Sequence, residues 1–72
     1  MQIIKPEITQ KLKTNSKARY RLSYEFDAHM NTINRWLEDN DKGESTMLTT
    51  PAGLRAIAEE LEIPRKELLI EA

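Results

Sequence analysis

The stretch that decides how this chain folds is Leu22-Ser23-Tyr24-Glu25-Phe26-Asp27-Ala28-His29-Met30-Asn31-Thr32-Ile33-Asn34-Arg35-Trp36. Leu22 and Phe26 stand four residues apart and continue backward to Ala18, so the three share one face of a helix over about Lys17–Glu25. Ile33, Trp36 and Leu37 recur at i, i+3, i+4 and give a second amphipathic helix over about His29–Asn40. Between the two sits Asp27, a residue type that tolerates left-handed or turn backbone better than most residues bearing a Cβ. Phe26 and Ala28 flank that turn, and Ser23 is small enough to let two helices approach where they cross. The pattern predicts two helices meeting at a short turn, with Asn31, Asn34 and Arg35 projecting on the side away from the apolar anchors.

Toward the N-terminus, Pro6 stands where the first turn of a helix tolerates a missing N–H, with Glu7 near the positive dipole end. A helix over about Pro6–Lys13 would bury Ile8 and Leu12, and Thr14-Asn15-Ser16 supplies a stop and a fresh N-cap. Toward the C-terminus, Asp39–Thr49 (DNDKGESTMLT) reads as a polar loop. Thr50-Pro51 reads as N-cap and first residue of a fourth helix to about Glu62, which carries Leu54, Ile57, Ala58 and Leu61 on one face. Pro64 opens a short fifth helix that turns Leu68 and Leu69 inward, so that the last two helices cover about residues 50–70. No stretch alternates as a strand does, valine is absent, and glycine and proline are scarce. The expectation is an all-α fold, one compact five-helix bundle formed by residues 1–72.

With no cysteine, the chain has no disulfides, zinc–thiolate sites, iron–sulfur clusters or thiol catalysis. Its longest apolar runs, Ala56–Ala58 and Leu68–Ile70, are far too short to span a membrane, and Met1-Gln2-Ile3-Ile4-Lys5-Pro6 lacks the apolar stretch of a signal peptide. A soluble, cytoplasmic protein is expected. The sequence holds no serine–histidine–acid set at a usable spacing, no glycine-rich phosphate loop and no metal-ligand cluster. Glu59 and Glu60 are adjacent, so on a helix their carboxylates splay about 100° apart and cannot form an acid–base pair. Catalytic residues, metals, cofactors and a small-molecule ligand are therefore not expected. The net charge of −1 hides a split. Through Glu38, Lys5, Lys11, Lys13, Lys17, Arg19, Arg21 and Arg35 face Glu7, Glu25, Asp27 and Glu38, a net +3; from Asp39 onward, Lys42, Arg55, Arg65 and Lys66 face eight carboxylates, a net −4. Such asymmetry is the footprint of a side that meets a polyanion, or of two oppositely charged solvated faces.

Leu22–Trp36 closely resembles the helix-turn-helix of the lambdoid phage repressor and Cro family, also called XRE-type. Within it, Thr32-Ile33-Asn34-Arg35-Trp36 is similar to the family's Thr-Ile-Ser-Arg-Trp run. The resemblance is strong across residues 17–38, weaker through the fourth and fifth helices, and faint before residue 16. The chain differs in carrying Asp27 where the family usually has glycine, Ala18-Arg19 where it usually has Thr-Gln, and Leu37 where it often has glutamate. The resemblance implies a lambda-repressor-like bundle with a helix-turn-helix core over about 17–40. It further implies a phage or bacterial transcription regulator, a repressor acting as a homodimer on double-stranded DNA, with the fifth helix and the tail Leu69–Ala72 forming the dimer surface.

A helix-turn-helix lays its second helix in the major groove. On this chain that helix would present His29, Met30, Asn31, Thr32, Asn34 and Arg35 to base edges. Asn31 suits the N6/N7 edge of adenine, Arg35 the O6/N7 edge of guanine, and Met30 or the Thr32 methyl a thymine methyl, each good bidentate pair discriminating by about 1–3 kcal/mol. Lys17 and Arg19, at the start of the preceding helix, would meet one phosphate strand, with Asn40 and Lys42 at the other. Glu38 shares the side of Asn34 and Arg35, where it would accept from cytosine, orient Arg35 or repel phosphate. Trp36 reads as a core anchor, and His29 as a surface or capping residue without the partner a metal site needs. Tyr20 and Tyr24 share a stripe opposite Leu22. They would be covered by the first helix or the long loop, bury against a partner or sit beside the phosphate backbone; cover from within the chain is the expectation, because so small a chain needs apolar area. The alternative function is a protein–protein module on the same fold, an antitoxin-like or adaptor subunit; it is favoured by the near-neutral net charge and by Met30, Tyr20 and Tyr24.

Overall fold

Local chemistry sets the helix ends. The computed structural model describes residues 1–72. Its elements are β1 (Gln2–Ile4), α1 (Pro6–Lys13), α2 (Ser16–Phe26), α3 (Met30–Asp41), α4 (Pro51–Leu61) and β2 (Leu69–Glu71), with 3₁₀ turns at Met47–Thr49 and Arg65–Glu67. The Asn15 side chain accepts from the Ala18 N–H at 3.1 Å and caps α2. Thr50 does the same for α4 through the Gly53 N–H at 3.4 Å, with Pro51 at the first helical position. Asp27 ends α2 in the left-handed region (φ 49°, ψ 48°), the conformation its side chain made plausible. Glu62 ends α4 the same way (φ 56°, ψ 45°), with no such excuse in its chemistry.

The architecture is mostly helical, with four α-helices rather than five, and it is not all-α. The segment expected as a fifth helix makes only the 3₁₀ turn Arg65–Glu67; Leu68 then drops fully into the core, and Leu69-Ile70-Glu71 run antiparallel to Gln2-Ile3-Ile4. The register is Gln2 to Glu71, Ile3 to Ile70 and Ile4 to Leu69. A strand of three residues is too short to show alternation, and its partner lies at the far end of the chain. Pairing and burial, not local preference, impose it.

One core of eleven buried residues joins every helix: Ile4, Ile8, Leu12, Ala18, Leu22, Ile33, Leu37, Leu48, Ala56, Ile57 and Leu68. Ala18, Leu22, Ile33 and Leu37 are the anchors expected for α2 and α3, and Ile8 and Leu12 those for α1. The polar segment Asp39–Thr49 contributes more than a loop. It extends α3 to Asp41, and the Thr46 hydroxyl accepts from the Leu48 N–H at 3.1 Å to start the turn that buries Leu48.

Polar fastenings tie the layers together. Thr9 of α1, itself buried, has its hydroxyl 2.8 Å from the Asp41 carboxylate at the end of α3, which also pairs with Lys13. Partial burial opposes ionisation of Asp41, but the hydrogen bonds from Lys13 and Thr9 and the Lys13 charge outweigh it and hold its pKa below the usual carboxylate value. The Arg21 guanidinium of α2 bonds Glu59 of α4 at 2.7 Å and Glu25 at 2.9 Å. Those two hydrogen bonds, that to Glu59 foremost, raise the pKa of Arg21, and the bond from Arg21 lowers that of Glu59.

Candidate nucleic-acid interface

The unit expected to meet DNA is α2, the turn 27–29 and α3. The turn is stapled at both ends. The Ala28 N–H donates to the Ser23 carbonyl at 3.0 Å, and the Ser23 hydroxyl donates back to the Ala28 carbonyl. A small hydroxyl side chain at position 23 thus both permits the approach of the two helices and holds it. On the inner side of α3, Ile33 and Leu37 are buried, and the Trp36 ring packs edge-to-face on Phe26 with centroids 5.4 Å apart and planes at 88°. Trp36 is therefore a packing residue, and α3 cannot roll without breaking the core.

The other side of α3 is polar and open. His29, Asn31, Arg35 and Glu38 are exposed, and Met30, Thr32 and Asn34 are half-buried. His29 is the N-cap residue but its side chain makes no capping bond, so the first-turn N–H groups of α3 have no side-chain acceptor. Arg35 enters none of the chain's four ion pairs, in contrast to Arg21 and Lys13, whose charges are compensated within the fold. Lys17 and Lys42 are exposed at the start of α2 and just past the end of α3. Arg19 reaches from α2 to α3: its Nη1 donates to Asn34 Oδ1 at 3.4 Å and its Nη2 to Ser16 Oγ at 3.2 Å. These two residues are fifteen apart, and nothing local in the sequence marks the pairing.

Asn40 does not belong to this surface. It is fully buried, and both ends of its carboxamide are occupied by one residue of β1. Its Oδ1 accepts from the Ile4 N–H at 2.8 Å and its Nδ2 donates to the Ile4 carbonyl at 2.8 Å. A side chain engaged in this way replaces a missing strand at the outer edge of β1, and no phosphate contact is open to it. The polarity of an asparagine near a helix end looked like surface; the strand that claims it was invisible in the sequence.

The expectation for the tyrosines also fails. Tyr20 is 63% and Tyr24 84% exposed, so no part of the chain covers them. They line a shallow open groove with Ser23, Asp27, Ala28 and His29, beside the turn. The core takes its apolar residues elsewhere, from Ile4 of β1 and from Leu48 in the 3₁₀ turn after α3 among others.

No three His, Asp or Glu side chains converge as a metal site, and no helix is long and apolar enough to cross a membrane. Comparison with protein-family models, with curated proteins and with solved structures finds no match to this chain.

Proposed function

We propose that this protein is a sequence-specific binder of double-stranded DNA and a transcription regulator of phage or bacterial type, with α2, the turn and α3 acting as a helix-turn-helix of the lambdoid repressor and Cro kind. The observation that carries this is the division of α3 into two faces. Ile33, Leu37 and Trp36 lock one face to the core, while Asn31 and Arg35 stand on the other with exposed side chains. A helix held rigidly by one side and bearing base-reading chemistry on the other is what major-groove recognition requires. His29, Met30, Asn31, Thr32, Asn34 and Arg35 face base edges, and Lys17, Arg19 and Lys42 hold phosphates. Binding is tested by fluorescence anisotropy on a random duplex pool at several salt concentrations. The expected result is affinity that falls steeply with salt, and loss of the selected sequences in Arg35→Ala at a cost of about 1–3 kcal/mol. A folded wild-type protein that binds no duplex at low salt would overturn it.

The protein acts as a homodimer, since a module this small gains limited affinity from one half-site. With no fifth helix to pair, the contact passes to β2. Its outer edge is open, whereas that of β1 is occupied at Ile4 by Asn40.

One observation favours a second reading, a protein-binding module: the exposure of Tyr20 and Tyr24 along one stripe of α2. Replacing both with serine leaves DNA affinity unchanged under the first reading and removes partner capture under the second.

A further inference from the structure

Two asparagines stand on the outer face of α3, and the fold treats them differently. Asn31 is exposed, with both ends of its carboxamide free to meet a base, which is what bidentate pairing to adenine needs. Asn34 is half-buried and its oxygen is taken by Arg19. A guanidinium carries five donors and no acceptor, so a carboxamide that meets it must turn its oxygen inward. The orientation of Asn34 is thereby set: Oδ1 faces Arg19, and the NH₂ group faces outward. That NH₂ makes no hydrogen bond within the chain and is not buried, since the single buried side-chain nitrogen or oxygen without a partner is Arg19 Nε.

Arg19 is itself restrained. Its guanidinium spans Ser16 and Asn34, its Nε is enclosed, and no carboxylate pairs with it. It acts as a fixed fork rather than a mobile surface charge, and the two N–H groups left over remain for a phosphate.

Resting on the DNA-binding reading above, we propose that Arg19 is a positioning residue that makes Asn34 a donor-only reader of the base edge it meets. A group that only donates pairs with the acceptors of the major groove, guanine N7 and O6, thymine O4 and adenine N7, and rejects cytosine, whose edge offers only the N4 donor. The base facing Asn34 is thus discriminated most strongly against cytosine, by about tenfold. Arg19 belongs to sequence selection as well as to phosphate contact.

Arg19→Lys tests this, because it keeps the charge but puts a single ammonium on a flexible stem, which cannot span Ser16 and Asn34 at once and so no longer holds the Asn34 oxygen in a fixed place. Two quantities are measured. One is affinity for a selected duplex carrying each of the four bases at every position, at several salt concentrations. The other is the ¹⁵N–¹H resonance pair of the Asn34 side chain in the free protein. The expected result for Arg19→Lys is an unchanged salt dependence, loss of the discrimination against cytosine at one position only, and a displaced, averaged Asn34 resonance pair with that of Asn31 unaffected. A base profile identical to wild type, or Asn34 resonances identical in both proteins, overturns the proposal. Arg19→Gln serves if Arg19→Lys fails to fold; its amide both donates and accepts, so it cannot fix the orientation, and the same loss at one position is expected. If the wild-type protein selects no sequence while Arg19→Lys still displaces the Asn34 resonances, the clamp is real but has no base to set. The DNA reading and the proposal then both fall, which separates that outcome from failure of the clamp alone.

Discussion

Gly53 sits in the first turns of α4, and the backbone of the 3₁₀ turn at Met47–Thr49 presses directly on it. A Cβ built there would lie 2.4 Å from the Leu48 carbonyl oxygen, 2.8 Å from its carbon and 2.9 Å from the Met47 oxygen. All three are main-chain atoms, so no side chain can swing aside; either the turn moves or α4 does. By helix propensity alone, Gly53→Ala gains about 1 kcal/mol. Overpacking against backbone outweighs that gain, and the expected net loss is about 1–2 kcal/mol, a fall in Tm of about 4–16 °C by circular dichroism. An equal or higher Tm would show that α4 and the turn do not approach this closely. The same scale explains what the sequence left unsaid about Asn40. Asparagine near a helix end fits a surface or a phosphate equally well, and only the Ile4 backbone 2.8 Å away on both sides identifies it as part of the interior.

At the scale of elements, the two helix ends in left-handed geometry are unequal. Asp27 suits it by residue type and sits in the turn that aims α3; Glu62 is an exposed glutamate whose carboxylate also meets the negative end of the α4 dipole. Glu62→Gly is therefore expected to stabilise the protein by about 1 kcal/mol, the backbone strain and dipole relief exceeding the added freedom of the unfolded chain. In thermal denaturation this reads as a rise of about 4–8 °C; an unchanged or lower Tm would mean that Glu62 is not strained there. Elements whose signals lie within a few residues were legible beforehand. The periodicities of α1, α2, α3 and α4, the Thr50-Pro51 start and the Asp27 turn all stand in the sequence at close to the places where they form. The outer face of α3 was legible for the same reason, because helical spacing assigns Asn31, Asn34 and Arg35 to one side once Ile33 and Trp36 are inward. What was not legible depends on contacts between distant residues. β1 and β2 exist only because the chain ends meet, and the fork from Arg19 to Asn34 joins separate helices.

Closing the two ends into one sheet gives the whole molecule a directional edge. Lys5 N–H donates to the Leu68 carbonyl at 2.8 Å and Ala72 N–H to the Met1 carbonyl at 2.9 Å, so in this antiparallel register residues 69 and 71 turn their backbone groups away from β1. On the opposite edge the corresponding groups of Ile4 are satisfied by Asn40. An unpaired edge invites another strand, and a second copy fits it by symmetry: an antiparallel pair centred on Ile70 joins Leu69 of each chain to Glu71 of the other and brings the two half-exposed Ile70 side chains together. Glu71→Pro removes one outward-facing donor on each chain while leaving the inward bonds of residues 70 and 72 in place. Sedimentation velocity over a concentration series is expected to give a dimer for the wild-type chain and a monomer for Glu71→Pro, with Tm measured on the isolated monomer little changed. A Glu71→Pro protein that dimerises like wild type would place the contact elsewhere, and a wild-type chain that stays monomeric would remove the dimer from the proposed function. Because the edge lies at the joined ends of the chain and not on α3, a dimer built through it does not use the outer-face residues of α3 as its contact. Loss of the dimer should accordingly weaken binding to a paired site far more than to a single half-site.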